Sequence, residues 1–203
     1  MKPLINSTWM VLSLLLITSL GWAQTTDYRL DKSSTMVING TSNVKDWKAE
    51  VEEMDANIAL NASLLKQDTM ANPVTQFSLT IPVKGIESGK GGMNNKIYGA
   101  LKEEDYPEIK FNLISAELAD TVQTGELFTL NVKGDLTVAG TSKEISFPVK
   151  GTKTRADSYR FEGNYGLNME DYGVDPPSAI FGTIRSSKEV EITFNVLLKS
   201  NSD

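Results

Sequence analysis

The sequence predicts an all-β, antiparallel fold, and three observations carry that reading. Apolar residues recur with a period of two. In "FTLNVKGDLTVAG", Phe128, Leu130, Val132, Leu136 and Val138 share one side of an extended chain, and Thr129, Asn131, Lys133, Asp135 and Thr137 the other. Short stretches of turn chemistry separate such runs, as in "AGTSKE" (Ala139–Glu144) and "KTRADS" (Lys153–Ser158). The runs follow one another with a single segment of helical spacing among them, the order of an antiparallel meander rather than of alternating strands and helices.

Taken in chain order, the amino terminus stands apart. Lys2 precedes the apolar run "WMVLSLLLITSL" (Trp9–Leu20), and Gly21 and Ala23 supply the small residues of a cleavage site. This is the form of a secretory signal peptide, residues 1–23, cut after Ala23. The run of 12 residues is well short of the roughly 20 that span a bilayer, so no stable membrane insertion is expected. With no Cys after it, a lipid-modified amino terminus is excluded. Residues 24–203 then form one domain, since no linker, low-complexity run or fixed-period repeat divides them.

The first strand is read over Tyr28–Asn39, with shorter strands at Trp47–Val51 and Ala56–Leu60 and a polar loop at Asn61–Pro73. "VTQFSLTIPVKGI" places Phe77, Leu79, Ile81 and Val83 on one face, and its phase shift at Gly85-Ile86 reads as a bulge. "GGMNNKIYGALKEEDYP" puts Met93, Ile97, Ala100 and Leu101 at helical spacing, ended by Pro107. "PEIKFNLISAEL" carries Ile109, Phe111 and Leu113 on one face, then switches to Ile114, Ala116 and Leu118, a second bulge. The last three runs show Ile145, Phe147 and Val149; then Tyr159, Phe161, Tyr165 and Leu167; then Val190, Ile192, Phe194, Val196 and Leu198. Alternation fits a sandwich or a closed barrel, and the two bulges favour closure.

Composition narrows function sharply. The chain has 203 residues with no Cys and no His. An exported domain without Cys is stabilised by burial alone. Without His there is no Ser-His-Asp or Cys-His catalysis and no common transition-metal site. Removing residues 1–23 leaves 19 basic against 26 acidic side chains, a net charge of −7. With no basic cluster among aromatics, nucleic acid is excluded as a partner.

Several stretches resemble the YceI-like family of exported, lipocalin-like barrels that bind polyisoprenoid-type lipids, over roughly Tyr28 to Lys199. They are "KIYGALKEEDYPEIKF" (Lys96–Phe111), "VKGDLTVAGTSKEISFPV" (Val132–Val149), "DYGVDPPSAIFGTI" (Asp171–Ile184) and "GTSNVKDW" (Gly40–Trp47). In one branch of the family a His often precedes the Asp-Trp pair. Lys45 stands there in this chain, so no role rests on an imidazole. The resemblance implies an antiparallel eight-stranded barrel with one short helix and a long apolar pocket. The ligand would be an isoprenoid or similar long-chain amphiphile, such as a polyisoprenoid or isoprenoid quinone, with no other cofactor. The protein would be periplasmic or secreted from a bacterium.

Dry-face residues are core on the plain reading, and a subset would line the pocket. The candidates are Phe77, Leu79 and Ile81; Ile97 and Leu101 of the helix; Phe111 and Leu113; Phe128, Leu130 and Leu136; Phe147; Tyr165 and Leu167; Phe181 in the late loop; and Ile192 and Phe194. Trp47 would plug the closed end or stack on a ligand. Tyr98, Tyr106 and Tyr172 could offer hydroxyls to a head group, and Lys84, Lys90, Lys96 and Arg185 a positive charge, against a simple solvated face. The acidic runs at Glu52-Glu53 and Glu103–Asp105 lack ligand spacing and read as solvation. Three functions compete: a non-enzymatic lipid carrier, a solid-core barrel acting as a structural or interaction module, and an enzyme working through carboxylates or tyrosines. A homodimer is left open.

Overall fold

The alternating runs become eight antiparallel strands closed into a barrel. The structure is a computed structural model and describes residues 25–66, 72–119, 127–155, 158–179 and 182–201. The expected signal peptide, residues 1–23, lies outside them. Each of the first three barrel strands is broken in two: β1 (Thr26–Leu30) with β2 (Thr35–Ser42), β3 (Trp47–Val51) with β4 (Asp55–Leu60), and β5 (Val74–Pro82) with β6 (Ile86–Glu87). The helix α1 (Gly91–Ala100) follows, then β7 (Glu108–Leu118), β8 (Leu127–Val138), β9 (Thr141–Arg155) and β10 (Ser158–Asn168). A two-residue strand, β11 (Ser178–Ala179), pairs with the start of the last, β12 (Ile184–Ser200).

Neighbours in sequence are neighbours in the wall, and β12 closes the ring. Its 17 residues hold β2 from Ser42↔Ser186 to Thr35↔Asn195 and β1 from Leu30↔Leu198 to Tyr28↔Ser200. Closure removes the open sheet edges that an extended β-sheet would expose.

The breaks have local causes. The expected single strand Tyr28–Asn39 is interrupted because the Asp31 carboxylate accepts from the Ser33 amide (3.0 Å) and hydroxyl (2.7 Å), an Asx turn that competes with pairing. The phase shift at Gly85-Ile86 is not a bulge but a one-turn 3₁₀ helix, Val83–Gly85. The second expected bulge is present: the β7–β8 register slips between Leu113 and Ser115, leaving Ile114 pointing outward, 49 % exposed. The β8–β9 hairpin turns on Ala139 and Gly140, both at positive φ (46° and 79°), the two-residue turn whose twist suits antiparallel strands.

The two ends of the barrel differ. At one end Tyr28, Phe128, Tyr159 and Phe161 form an edge-to-face cluster with ring centroids 5.8–6.5 Å apart. At the other lie α1, a 3₁₀ turn at Met169–Tyr172 and the loop that follows it. The helix begins with two glycines and has no side-chain cap, so its position rests on tertiary bonds. Buried Asn94 accepts from the Ser88 amide (2.9 Å) and hydroxyl (2.6 Å) and donates to Glu87 Oε2. Lys96 Nζ donates to the Ser178 carbonyl at 2.6 Å, joining the helix to the late loop.

Candidate functional site

Between the aromatic end and the helix end, the barrel encloses a cavity of about 270 Å³. That is far above the ~10–15 Å³ a single water needs, so it is not a packing defect. Its wall is built from inward residues of every barrel strand, with Ile97, Ala100 and Leu101 from the helix side and Val174 and Pro177 from the late loop. Among the described residues no charged side chain lines it, and only the Trp47 indole and the Tyr165 phenol bring a polar side-chain nitrogen or oxygen. A space with so few hydrogen-bonding groups holds water poorly and suits a hydrocarbon.

Glycines in the wall keep the hollow open. Gly40 lies opposite Trp47, Gly151 opposite Phe128 and Gly163 opposite Phe194. A Cβ on these glycines would stand 2.2, 2.1 and 2.7 Å from the nearest ring atom, and one on Gly134 would be 2.4 Å from Phe111. With no Cβ beneath them, Trp47, Phe111 and Phe194 fold against the neighbouring strand at the cavity wall, and Phe128 does the same in the packed aromatic end.

Fourteen of the sixteen candidates named from the sequence line this cavity: Phe77, Leu79, Ile81, Ile97, Leu101, Phe111, Leu113, Leu130, Leu136, Phe147, Tyr165, Leu167, Ile192 and Phe194. Phe128 does not. It shares their parity but sits deeper toward the closed end, 4 % exposed and packed on Tyr159 and Phe161, so it is a plug rather than a lining residue. Phe181 lies outside the described residues. Of the two places open to it, Trp47 takes the cavity wall at the helix end rather than the closed end, with its indole N–H buried and lacking a hydrogen-bond partner. Met36 and Ile38 also line the cavity; their alternation in "TMVIN" could have revealed them. Met54, in the break between β3 and β4, carried no periodic signal.

Three of the four cations considered for a head group, Lys84, Lys96 and Arg185, are engaged elsewhere. Lys84 pairs with Glu103 at 3.1 Å, and Arg185 Nε donates to the Gly182 carbonyl at 2.7 Å. The Tyr98 hydroxyl lies 2.9 Å from Glu87 Oε1, and burial, then Glu87, pushes its phenol up to about 12. Tyr106 covers Gly140. Tyr172 is only 2 % exposed, and burial, with help from Tyr165 and Asp171, pushes its phenol up to about 12. The Tyr165 phenol is also raised, by burial first. These two phenols interact directly, Tyr172 on the donor side, but not in regular hydrogen-bond geometry, so the Tyr172 hydroxyl lacks a well-formed partner. Among the described residues no group of three or more carboxylates is placed to hold a metal ion, and no helix is long and apolar enough to cross a membrane.

Fold and hollow together define a closed, antiparallel eight-stranded barrel of the lipocalin-like kind. A model of the YceI-like domain matches residues 28–198, and the chain belongs to that family. Among solved structures it is similar to Burkholderia cenocepacia BcnA, with a TM-score of 0.63 at 18 % identity over 83 % of this chain and 98 % of that one. A polyisoprenoid binding domain from Saccharophagus degradans, implicated in plant cell wall breakdown, gives 0.62 at 11 % identity over 85 % and 98 %. The Campylobacter jejuni YCEI protein gives 0.55 at 14 % over 76 % and 85 %. At such identities the likeness is one of fold. No curated protein matches the chain.

Proposed function

We propose that this protein is an exported, non-enzymatic binder or carrier of a long-chain amphiphile, an isoprenoid first of all, whose tail lies in the barrel. One observation carries the reading: a closed barrel surrounds a hollow lined by apolar side chains and by no charge. Burial of a methylene contributes about 0.8 kcal/mol, so ten buried carbons supply roughly 8 kcal/mol of gross driving force with no specific polar contact. The polyisoprenoid binding of the Saccharophagus degradans domain, which shares this fold, supports the same ligand class. A chain with neither His nor Cys, and a cavity whose only ionisable side chain among the described residues is the Tyr165 phenol, raised further by burial, favour binding over turnover. The apolar amino-terminal run supports a periplasmic or secreted location.

The test is direct. Residues 24–203 are purified from a bacterial host and extracted with organic solvent, and the extract is analysed by mass spectrometry. A stoichiometric polyisoprenoid or isoprenoid quinone is expected. A protein that emerges empty and also fails to take up added quinone or polyprenyl lipid would overturn the proposal and leave a barrel acting through its surface.

A further inference from the structure

The wall of the barrel is not hydrogen-bonded all the way along. β9 and β10 pair from Arg155↔Ser158 to Lys150↔Glu162 and stop, although β9 reaches back to Thr141 and β10 runs on to Asn168. Over this stretch β9 stays paired with β8, and β10 with β12, so each turns an unpaired edge toward the other. The sequence supplies a reason. Continued register would set Pro148, which has no N–H to donate, opposite Asn164.

Side chains close this seam in place of backbone bonds. On the inner side the Phe147 and Tyr165 rings meet across it, 5.5 Å apart. On the outer side is a polar cleft whose walls include Lys143, Glu144, Tyr165, Asp171, Tyr172 and Glu189. Ile145, Tyr165 and Leu167 line both this cleft and the central cavity, so one layer of side chains separates them. Within the cleft wall, Tyr172 is buried with an unpartnered hydroxyl. A polar atom so placed is normally satisfied by something.

We propose that the seam between β9 and β10 holds the polar end of the bound lipid, an uncharged hydroxyl or carbonyl group that accepts a hydrogen bond from Tyr172 while the tail fills the barrel. The inference rests on the lipid-binding reading above and adds the place and chemistry of the head. Charge selects against an anion. Three carboxylates line the cleft against one ammonium, and that ammonium, Lys143, lies 3.4 Å from Asp171 and 5.9 Å over the Tyr172 ring. Lys133, beside the cleft, is held 3.0 Å from Glu144. The one ammonium that lines the cleft is thus already engaged, and Glu189 repels a phosphate. A phenol is a neutral donor at pH 7, and burial pushes that of Tyr172 further in the same direction.

Three probes with one tail length separate the outcomes: geranylgeraniol, geranylgeranyl monophosphate and the saturated C20 hydrocarbon phytane, titrated into residues 24–203. The alcohol is expected to bind at least about tenfold more tightly than the phosphate, as like-charge rejection predicts. Tyr172→Phe should weaken the alcohol by about two- to tenfold, the range of one neutral hydrogen bond, and leave phytane unchanged. Its melting temperature should change little, because the hydroxyl removed makes no hydrogen bond of regular geometry. Glu189→Gln should narrow the gap between alcohol and phosphate. Phosphate binding as tight as alcohol, or a Tyr172→Phe loss shared equally by phytane, overturns the head-group inference alone. Failure of all three probes overturns it together with the lipid-binding proposal.

Discussion

Trp47 lies against Gly40 so closely that a Cβ on Gly40 would stand 2.2 Å from Trp47 Cζ2. The two residues face each other across β2 and β3, and the same device seats Phe194 on Gly163 across β10 and β12. Gly40→Ala and Gly163→Ala should each therefore push a ring into the lumen. The expected cost is about 1–3 kcal/mol, the usual range for overpacking, read as a lower urea midpoint. The capacity of the cavity for a C20 lipid should fall with it. Gly99→Ala, inside α1 with open space around its Cβ position, serves as the control: it should leave the capacity unchanged and should not lower the midpoint.

Acid stability should depend on the join that closes the barrel. Lys199 Nζ lies 2.5 Å from Asp31 Oδ2 where β1 meets β12, and this bond, with those from Ser33, holds the Asp31 carboxyl well below the usual carboxylate range. A depressed folded-state pKa gives stability that is present above the unfolded value of about 4 and is lost as pH falls below it. Melting temperatures measured from pH 6 down to pH 2 should decline in the wild type. Asp31→Asn should lower the value at pH 6 and flatten the decline, and an unchanged slope would remove Asp31 from the explanation.

The alkaline side has the opposite sign. Tyr98 and Tyr172 hold their protons to about 12, so the folded state keeps them neutral while the unfolded chain ionises near pH 10. Their contribution is complete below pH 10 and is lost as pH rises toward 12. A spectrophotometric tyrosine titration should show these phenols ionising late, together with unfolding rather than before it.

Much of the barrel was legible in the sequence because inward and outward residues alternate, and parity alone assigns Leu113, Leu136 or Phe194 to a face. Parity says nothing of depth along the barrel axis, so Phe128, with the same pattern as Leu130, could not be separated from the lining residues. Breaks built by local bonds were also hidden. The Asp31–Ser33 turn divides a run whose apolar spacing continues on both sides. The seam between β9 and β10 was beyond reach, because it depends on which edges meet after the chain has folded. Pro148 was visible, but not the Asn164 it would have faced.

Phe128 and Phe147 should therefore respond differently to truncation. Phe128 sits in the closed end against Gly151, Tyr159 and Phe161, where Phe→Ala leaves a void in packed surroundings and should cost about 3–5 kcal/mol. Phe147 faces the existing hollow, so Phe147→Ala enlarges a space already open and should cost less. It should also speed lipid exchange, since its ring is half of the pair that bridges the unbonded edges of β9 and β10. Equal losses of stability in a urea titration would place both rings in the same kind of packing.

Trp47 offers a site-specific readout of the tail. The sequence has three tryptophans, at positions 9, 22 and 47, and the first two fall within the expected signal peptide. In residues 24–203 all indole emission then comes from one ring on the cavity wall. A long-chain lipid brominated near the end of its tail should quench that emission in proportion to occupancy, because quenching by bromine requires near contact. Val132→Phe with Leu136→Phe, two lining positions on β8, should fill part of the hollow and abolish the quenching while leaving the fold intact by circular dichroism. If the double variant is quenched as fully as the wild type, the lipid is bound somewhere other than the barrel interior, and the apolar cavity is not its site.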